Sequence, residues 1–391
     1  PSCSGCHFKD GRGRPPIAGE ATMTSMLVRL SIPGIDAHGG PLDEPSYGGQ
    51  FQPLAIDNIP SEGDVALTYV EIPGMYDDGT PYSLRQPTVV FSNLQFGAMM
   101  PGTMTSARTA PAMIGLGLLE AIDESELFAL EDPNDTNGDG ISGHVNRVWD
   151  GAANAVAIGR FGWKAGQPNL RAQSAGAFLG DMGLTTAEHP TENCPSGQTL
   201  CASAPNGGSP EVDPSLMDRV ALYSRTLAPP IRAGYRRSEV LHGRELFRDL
   251  GCPSCHVERF TTGASATIPE LSGQDIRPFT DLLLHDMGPG LADDRPEFEA
   301  TGTEWRTPPL WGLGRQSEVK PSTLQPNSGS RMVSVLIASN SSSRVRTSGS
   351  GQTRCNSASA SSMCRCVLKV FVPGGPMNDG SLGSTMGAQF C

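Results

Sequence analysis

The sequence predicts a mainly α protein of two small helical domains, the first carrying a loop-rich, β-containing insertion. Three observations lead there. The chain has 391 residues, enough for two or three domains. One short motif occurs twice, as Cys3, Cys6 and His7 in PSCSGCHFKDGRGRPP and as Cys252, Cys255 and His256 in GCPSCH. Helical spacing recurs around an intervening stretch rich in β-branched residues, Gly and Pro.

In chain order, residues 1–30 hold the first motif. The chain begins at Pro1 with no Met and no upstream helix, and a lost start is expected. Residues 31–110 read as β-rich, with strands in VALTYVEIPG and QPTVVFSNLQFG and a turn at YDDGTPYS between them. Helix is expected over 107–131 and 170–182, and again over 213–227, where Asp213 is the N-cap and Pro214 the first helical residue. APPIRAGYRRSE (228–239) reads as a linker. In LHGRELFRDLGCPSCH, Gly243 and Phe247, like Leu246 and Leu250, stand four apart on one helical face, and Gly251 ends that helix before the cysteines. A short helix of this kind is what a cytochrome c domain packs against its last helix. The expected domains are 1–230, 231–315 and an atypical Ser-rich tail, 316–391, dotted with Arg and with Cys355, Cys364, Cys366 and Cys391. The tail shows no helical or strand period and is expected to be disordered or translated out of frame.

Cys-x-x-Cys-His serves three chemistries. Two thiols at this spacing meet the two vinyl groups of one haem while the following His ligates the iron. A thioredoxin-type dithiol uses the same spacing without needing the His. A zinc site needs a second ligand pair, usually within ~15–20 residues, and neither motif has one. The repeated His favours two c-type haems, with His7 and His256 as proximal ligands. Covalent haem attachment occurs outside the bacterial cytoplasm, so a periplasmic or otherwise exported protein is implied. Cys194 and Cys201 bracket a polar loop and could pair there, or stand as surface thiols.

Net charge is −12 with pI about 5.1, which argues against nucleic acid and against a basic membrane-binding patch. No apolar run reaches the ~18 residues of a membrane span.

Several stretches resemble the di-haem oxidoreductases of the peroxidase type, also called predicted thiol oxidoreductases, distant relatives of di-haem cytochrome c peroxidases and MauG-type enzymes. They are CSGCHFKDGRGRPP, IPGIDAHGGP, ARTAPAMIGLGLLEAI, DPNDTNGDGISGHVNRVWD, GRFGWKAGQPNLRAQSAGAFLGDMGLT, GCPSCHVERFTTG, DLLLHDMGPGLADD and EWRTPPLWGLG, and they cover residues 1 to about 315. The resemblance implies two cytochrome c-like domains, one haem storing an electron and the other meeting peroxide. The family continues after TPPLWGLG with a segment like FLHDGR and a helix ending in His, and this chain departs from that pattern.

Five further histidines exist: His38, His144, His189, His242 and His285. His38, in DAHGGP, is either a distal acid–base group or a surface loop residue. His285 and Met287, in LLLHDMG, are candidates for a haem-facing role, against core packing. Glu120, in GLGLLEAI, is a candidate proton mover at peroxide, against a helix-surface carboxylate. Trp305 and Trp311 flank TPPL as packing residues or electron carriers. Asp135, Asn137 and Asp139 match the first half of a calcium loop, with Gly140 at the turn, but Asn146 stands where Glu belongs; an Asx-rich turn is the alternative. The expected function is a di-haem c-type oxidoreductase that reduces peroxide or oxidises a small substrate. Its reductant would be a small electron-donor protein or a small molecule. A substrate-free electron-transfer cytochrome and a haem-free thiol–disulfide oxidoreductase are the rivals.

Overall fold

A computed structural model describes residues 2–7, 11, 13, 24–232, 234–265 and 268–313, and the backbone alone of 336–338 and 365–367. The elements in order are α1 (Cys3–Cys6), β1 (Met26–Ile35), β2 (Pro41–Leu42), β3 (Asp64–Met75), β4 (Pro81–Ser92) and β5 (Met104–Thr109). Then come α2 (Leu116–Glu120), α3 (Glu124–Phe128), β6 (Asn146–Asp150), β7 (Ala155–Gly159), α4 (Leu170–Met182), α5 (Thr199–Ala202) and α6 (Pro214–Thr226). The last part holds α7 (Ser238–Asp249), β8 (Phe260–Thr261), β9 (Asp275–Ile276), β10 (Leu284–Asp286) and β11 (Glu304–Arg306).

The expectation of a mainly α fold is overturned: strand occupies 24% and helix 22%. Positive backbone φ recurs at non-glycine residues, at Phe279 and Leu282 between β9 and β10 and at Asp294 and Phe298 between β10 and β11, where regular structure is broken. Helix over 107–131 is likewise reduced to α2 and α3, because β5 claims residues 104–109 to pair with β1. The tail is outside the described residues except for a strand pair, Leu336–Ala338 with Arg365–Val367, where none was expected. Among the described residues no helix is long and apolar enough to cross a membrane.

The insertion is built on antiparallel order β2–β1–β5 and on the hairpin β3–β4, which runs in register from Asp64↔Ser92 to Met75↔Pro81. Pro73, Pro81 and Pro87 fall in alternate pairs of that ladder; lacking N–H, they must occupy its non-hydrogen-bonded pairs. Val65, Leu67, Val89 and Phe91 pack the base of the hairpin against Val28, Leu30, Tyr47 and Phe51. α4 and α6 have firm ends: Asn169 Oδ1 accepts the Ala172 N–H at 2.9 Å, Gly183 closes α4 in the left-handed region, and Asp213 Oδ1 accepts the Ser215 N–H at 2.8 Å.

The largest core joins Leu119, Ile122, Leu127, Ile158 and Leu170 to Phe260, Ile276, Leu282 and Leu283, on both sides of residue 230. A buried ionic cluster adds a second link. Arg108 on β5 meets Glu297 at 2.7 Å, Arg295 meets the same carboxylate at 3.0 Å, and the fully buried Lys164 meets Asp293 at 2.9 Å. These contacts hold the insertion, the loop after β7 and the stretch 293–297 as one packed unit.

Candidate haem sites

The second motif is presented by α7. Gly251, at φ 74°, turns the chain out of the helix, and Cys252–Ser254 form a single tight turn. The His256 N–H then returns to the Cys252 carbonyl at 3.0 Å. His256 is 3% exposed. Its Nδ1 lies 2.8 Å from the Phe279 carbonyl, which can only accept, so Nδ1 carries the proton. Burial holds its pKa below the ordinary histidine value, so the ring is neutral and Nε2 carries the lone pair a metal needs. The Phe247 ring, 6.4 Å from the imidazole and 5.6 Å from the Phe279 ring, fixes that geometry from the helix side.

The first motif repeats the arrangement. The His7 N–H returns to the Cys3 carbonyl at 2.8 Å, and Nδ1 donates to the Gly11 carbonyl at 2.8 Å. Ser25 Oγ anchors the Cys6 carbonyl at 2.6 Å. Burial, with the Asp181 carboxylate nearby, pushes the Cys6 thiol above its ordinary value. An attacking thiol of the thioredoxin type needs the opposite shift. Cys194 and Cys201 form a disulfide, Cα–Cα 5.8 Å, and none of the four motif cysteines takes part in one. Among the described residues no group of three or more His, Cys, Asp or Glu is placed to hold a metal ion. Both motifs fit a covalently bound haem: two thiols, then an imidazole whose Nδ1–H is already spent on a carbonyl.

His285 is brought to the second motif, its Nδ1 3.8 Å from the Cys255 sulfur. Its Nδ1 donates to the Ser142 carbonyl at 2.7 Å and its Nε2 to Asp281 Oδ2 at 2.8 Å, so neither nitrogen offers a lone pair to iron. Burial alone would lower its pKa, but the Asp281 carboxylate, helped by the Cys255 sulfur at 3.8 Å from Nδ1, raises it to about 10. His285 is therefore an imidazolium wedged between the motif and the loop that carries Ser142. A Cβ at Gly143 would stand 2.6 Å from the His285 ring, so this close approach requires glycine. Met287 lies just past β10, half-buried, with its N–H on the Thr303 carbonyl at 3.0 Å.

Glu120 and His38 are each held by a distant side chain. Glu120 grips the Arg225 guanidinium with both oxygens and accepts the Leu170 N–H at 2.8 Å, tying α2 to α4 and α6. His38 stacks on Trp149, ring centroids 4.3 Å apart at 14°. Asp135, Asn137 and Asp139 close their own loop: Asp135 accepts the Gly140 N–H, Asn137 Oδ1 the Asp139 N–H, and Asp139 Oδ1 the Ile141 N–H. Trp305 donates to the Leu291 carbonyl, sits under Lys164 Nζ at 4.6 Å, and meets Trp163 edge-on at 6.4 Å. The Trp311 ring fills the space over Gly115, where a Cβ would come within 2.3 Å of it.

Sequence reasoning passed over Asp281, although its i, i+4 spacing to His285 was a visible signal. It also passed over the Phe279 and Ser142 carbonyls, for which no residue-type signal exists. No curated protein and no solved structure matches the chain. The model of the family described as "Di-haem oxidoreductase, putative peroxidase" matches residues 61–330, a span that includes the second motif. Since that is more than half of the chain, it belongs to this family of di-haem oxidoreductases.

Proposed function

We propose that the chain carries two covalent c-type haems, at Cys3/Cys6/His7 and Cys252/Cys255/His256, and passes electrons between them to reduce peroxide or oxidise a small substrate. One observation carries this reading: in both motifs the imidazole donates Nδ1–H to a backbone carbonyl, presetting Nε2 for iron. The family membership supports the oxidoreductase class. When bound, the haems supply reversible one-electron chemistry at iron.

The protein's own share is orientation and exclusion of water. The Phe279 carbonyl holds the His256 ring through Nδ1, and the imidazole is buried. With both His285 nitrogens taken by Ser142 and Asp281, Met287 is the remaining side chain of LLLHDMG that would help to hold the C-terminal haem, through its thioether sulfur. The Cys194–Cys201 disulfide supports an oxidising, exported location.

A second reading, electron transfer without a substrate, draws on one specific observation. Glu120 and His38, the candidate proton movers, are held by Arg225 and Trp149. Hydrogen peroxide added to the fully reduced, haem-loaded protein separates the two readings. Peroxidase chemistry oxidises both haems within the mixing experiment, whereas a six-coordinate electron carrier keeps its reduced spectrum.

A further inference from the structure

Asp281 and His285 close a ring of contacts on one residue of the second motif, Cys255. The Asp281 N–H donates to the Cys255 carbonyl at 3.0 Å. The Asp281 carboxylate accepts from His285 Nε2 at 2.8 Å, and His285 Nδ1 stands 3.8 Å from the Cys255 sulfur. Main chain and side chain of Cys255 are thus both tied to Asp281, the second through an imidazole that is itself buried. A sulfur held in this way keeps one staggered χ1 well instead of sampling three.

The ring of contacts is braced from outside. His144 pairs with Leu284 of β10 in both directions, its N–H to the Leu284 carbonyl at 3.2 Å and the Leu284 N–H to its carbonyl at 2.8 Å. That pairing lays residues 142–144 along β10 and brings the Ser142 carbonyl to His285 Nδ1 at 2.7 Å. Both imidazole nitrogens face oxygen acceptors, so both carry protons and one ring orientation satisfies them. On the other side, Asp281 Oδ1 accepts the Leu283 N–H at 3.0 Å. Gly143 leaves the imidazole its room, since a Cβ there would stand 2.6 Å from it. Cys6 of the first motif is anchored differently, through its carbonyl, by Ser25 Oγ at 2.6 Å.

We propose that Asp281 and His285 are positioning residues for covalent attachment at Cys255, holding its sulfur where it must meet a vinyl group of the haem. The inference rests on the di-haem reading. The bond they prepare is an addition: the Cys255 sulfur bonds to one vinyl carbon, the vinyl double bond becomes single, and the thiol hydrogen ends on the other vinyl carbon. Nothing is oxidised or reduced, and His285 keeps both its protons. Their contribution is aim, and a reacting atom misplaced by about 1 Å loses on the order of 100-fold in rate.

The test uses protein made with haem-maturation machinery and reads attachment rather than activity. Masses of the tryptic haem peptides report whether each haem is held by two thioethers or one, and alkylation locates the free thiol. A haem held by one thioether keeps a vinyl group in conjugation, so its pyridine haemochrome band lies at longer wavelength. H285Q removes the imidazole, D281N removes its counter-charge at constant size, and G143A displaces the imidazole without removing any group. Each should raise the share of second haems held through Cys252 alone roughly 10-fold or more, with the haem at Cys3 and Cys6 unchanged. V28A, which lowers Tm through the core of the insertion, should leave both thioethers in place. If H285Q fails to fold, D281N and G143A decide. Two thioethers at the second motif in every folded variant, or a V28A protein that loses one as readily, overturns the positioning role and leaves the di-haem reading standing. No covalent haem at the second motif of the unsubstituted protein overturns that reading, and this inference with it.

Discussion

At the scale of single residues, the second motif depends on Asp281. This carboxylate, 2% exposed, is the counter-charge of the buried His285 imidazolium and also accepts the Leu283 N–H at 3.0 Å. Removing one member of such a pair leaves the other charge buried alone, at a cost of about 3–5 kcal/mol. Asp281→Ala should therefore lower the unfolding free energy by that amount in urea titrations at neutral pH; a loss below about 1 kcal/mol would show that His285 is not charged there. The pH dependence has a definite sign. The folded pKa of His285 lies above its unfolded value, so the pair's contribution is complete below about 6.5 and is lost as pH rises through about 10. Following the imidazole by NMR would check it, since a ring that loses its proton near pH 6.5 contradicts the pairing. The cysteines and histidines of both motifs were legible from spacing alone, because the chemistry dictates residue types at fixed offsets. The contacts of Glu120 and His38 were not legible. Their partners, Arg225 and Trp149, lie 105 and 111 positions away, beyond any local pattern.

At the scale of elements, the disulfide loop is an anchor for the insertion. Gln198, inside the loop closed by Cys194 and Cys201, donates from Nε2 to the Ser46 carbonyl at 2.9 Å and to Glu62 Oε1 at 2.6 Å. Replacing both cysteines by serine frees a short loop in the unfolded chain and should cost about 2–3 kcal/mol, read as a drop in Tm under oxidising conditions and as no further drop on adding reductant. Glu62 itself is a pH-sensitive joint. Burial pushes its carboxyl up to about 7, against the Gln198 amide and the Gln52 N–H that favour the charged form. Its folded pKa exceeds the unfolded one, so its contribution is present below about 4.5 and is lost as pH rises to about 7. Glu62→Gln should flatten stability over that window; an unchanged pH profile would place the titration elsewhere. The Asp135–Gly140 loop closes on its own hydrogen bonds, so EDTA should leave Tm unchanged, and a fall of several degrees would assign a cation to it. Among the elements, the β3–β4 hairpin, α4, α6 and α7 were readable because each carries its own period and its own ends. The short pairs β8–β9 and β10–β11 were not, since two or three residues are too few to show alternation.

For the whole molecule, the sequence pattern suggested helical haem domains around a β insertion, and the structure shows instead a loop-rich body with short sheets. The difference has a physical source. Forty-seven glycines and 33 prolines keep most segments too short to propagate a helix, so shape comes from long-range contacts that no window of sequence contains. Both motifs nevertheless keep the same local geometry: a tight turn, a returned His N–H and an imidazole pinned through Nδ1 to a carbonyl. The central claim is that this geometry is built for covalent haem at both ends of the described chain. The pyridine haemochrome spectrum of protein produced with haem-maturation machinery, scaled to protein concentration, tests it most directly. The account predicts two covalent haems per chain and no titratable thiol at Cys3, Cys6, Cys252 or Cys255; a haem-free protein with four reactive thiols at those positions would contradict it.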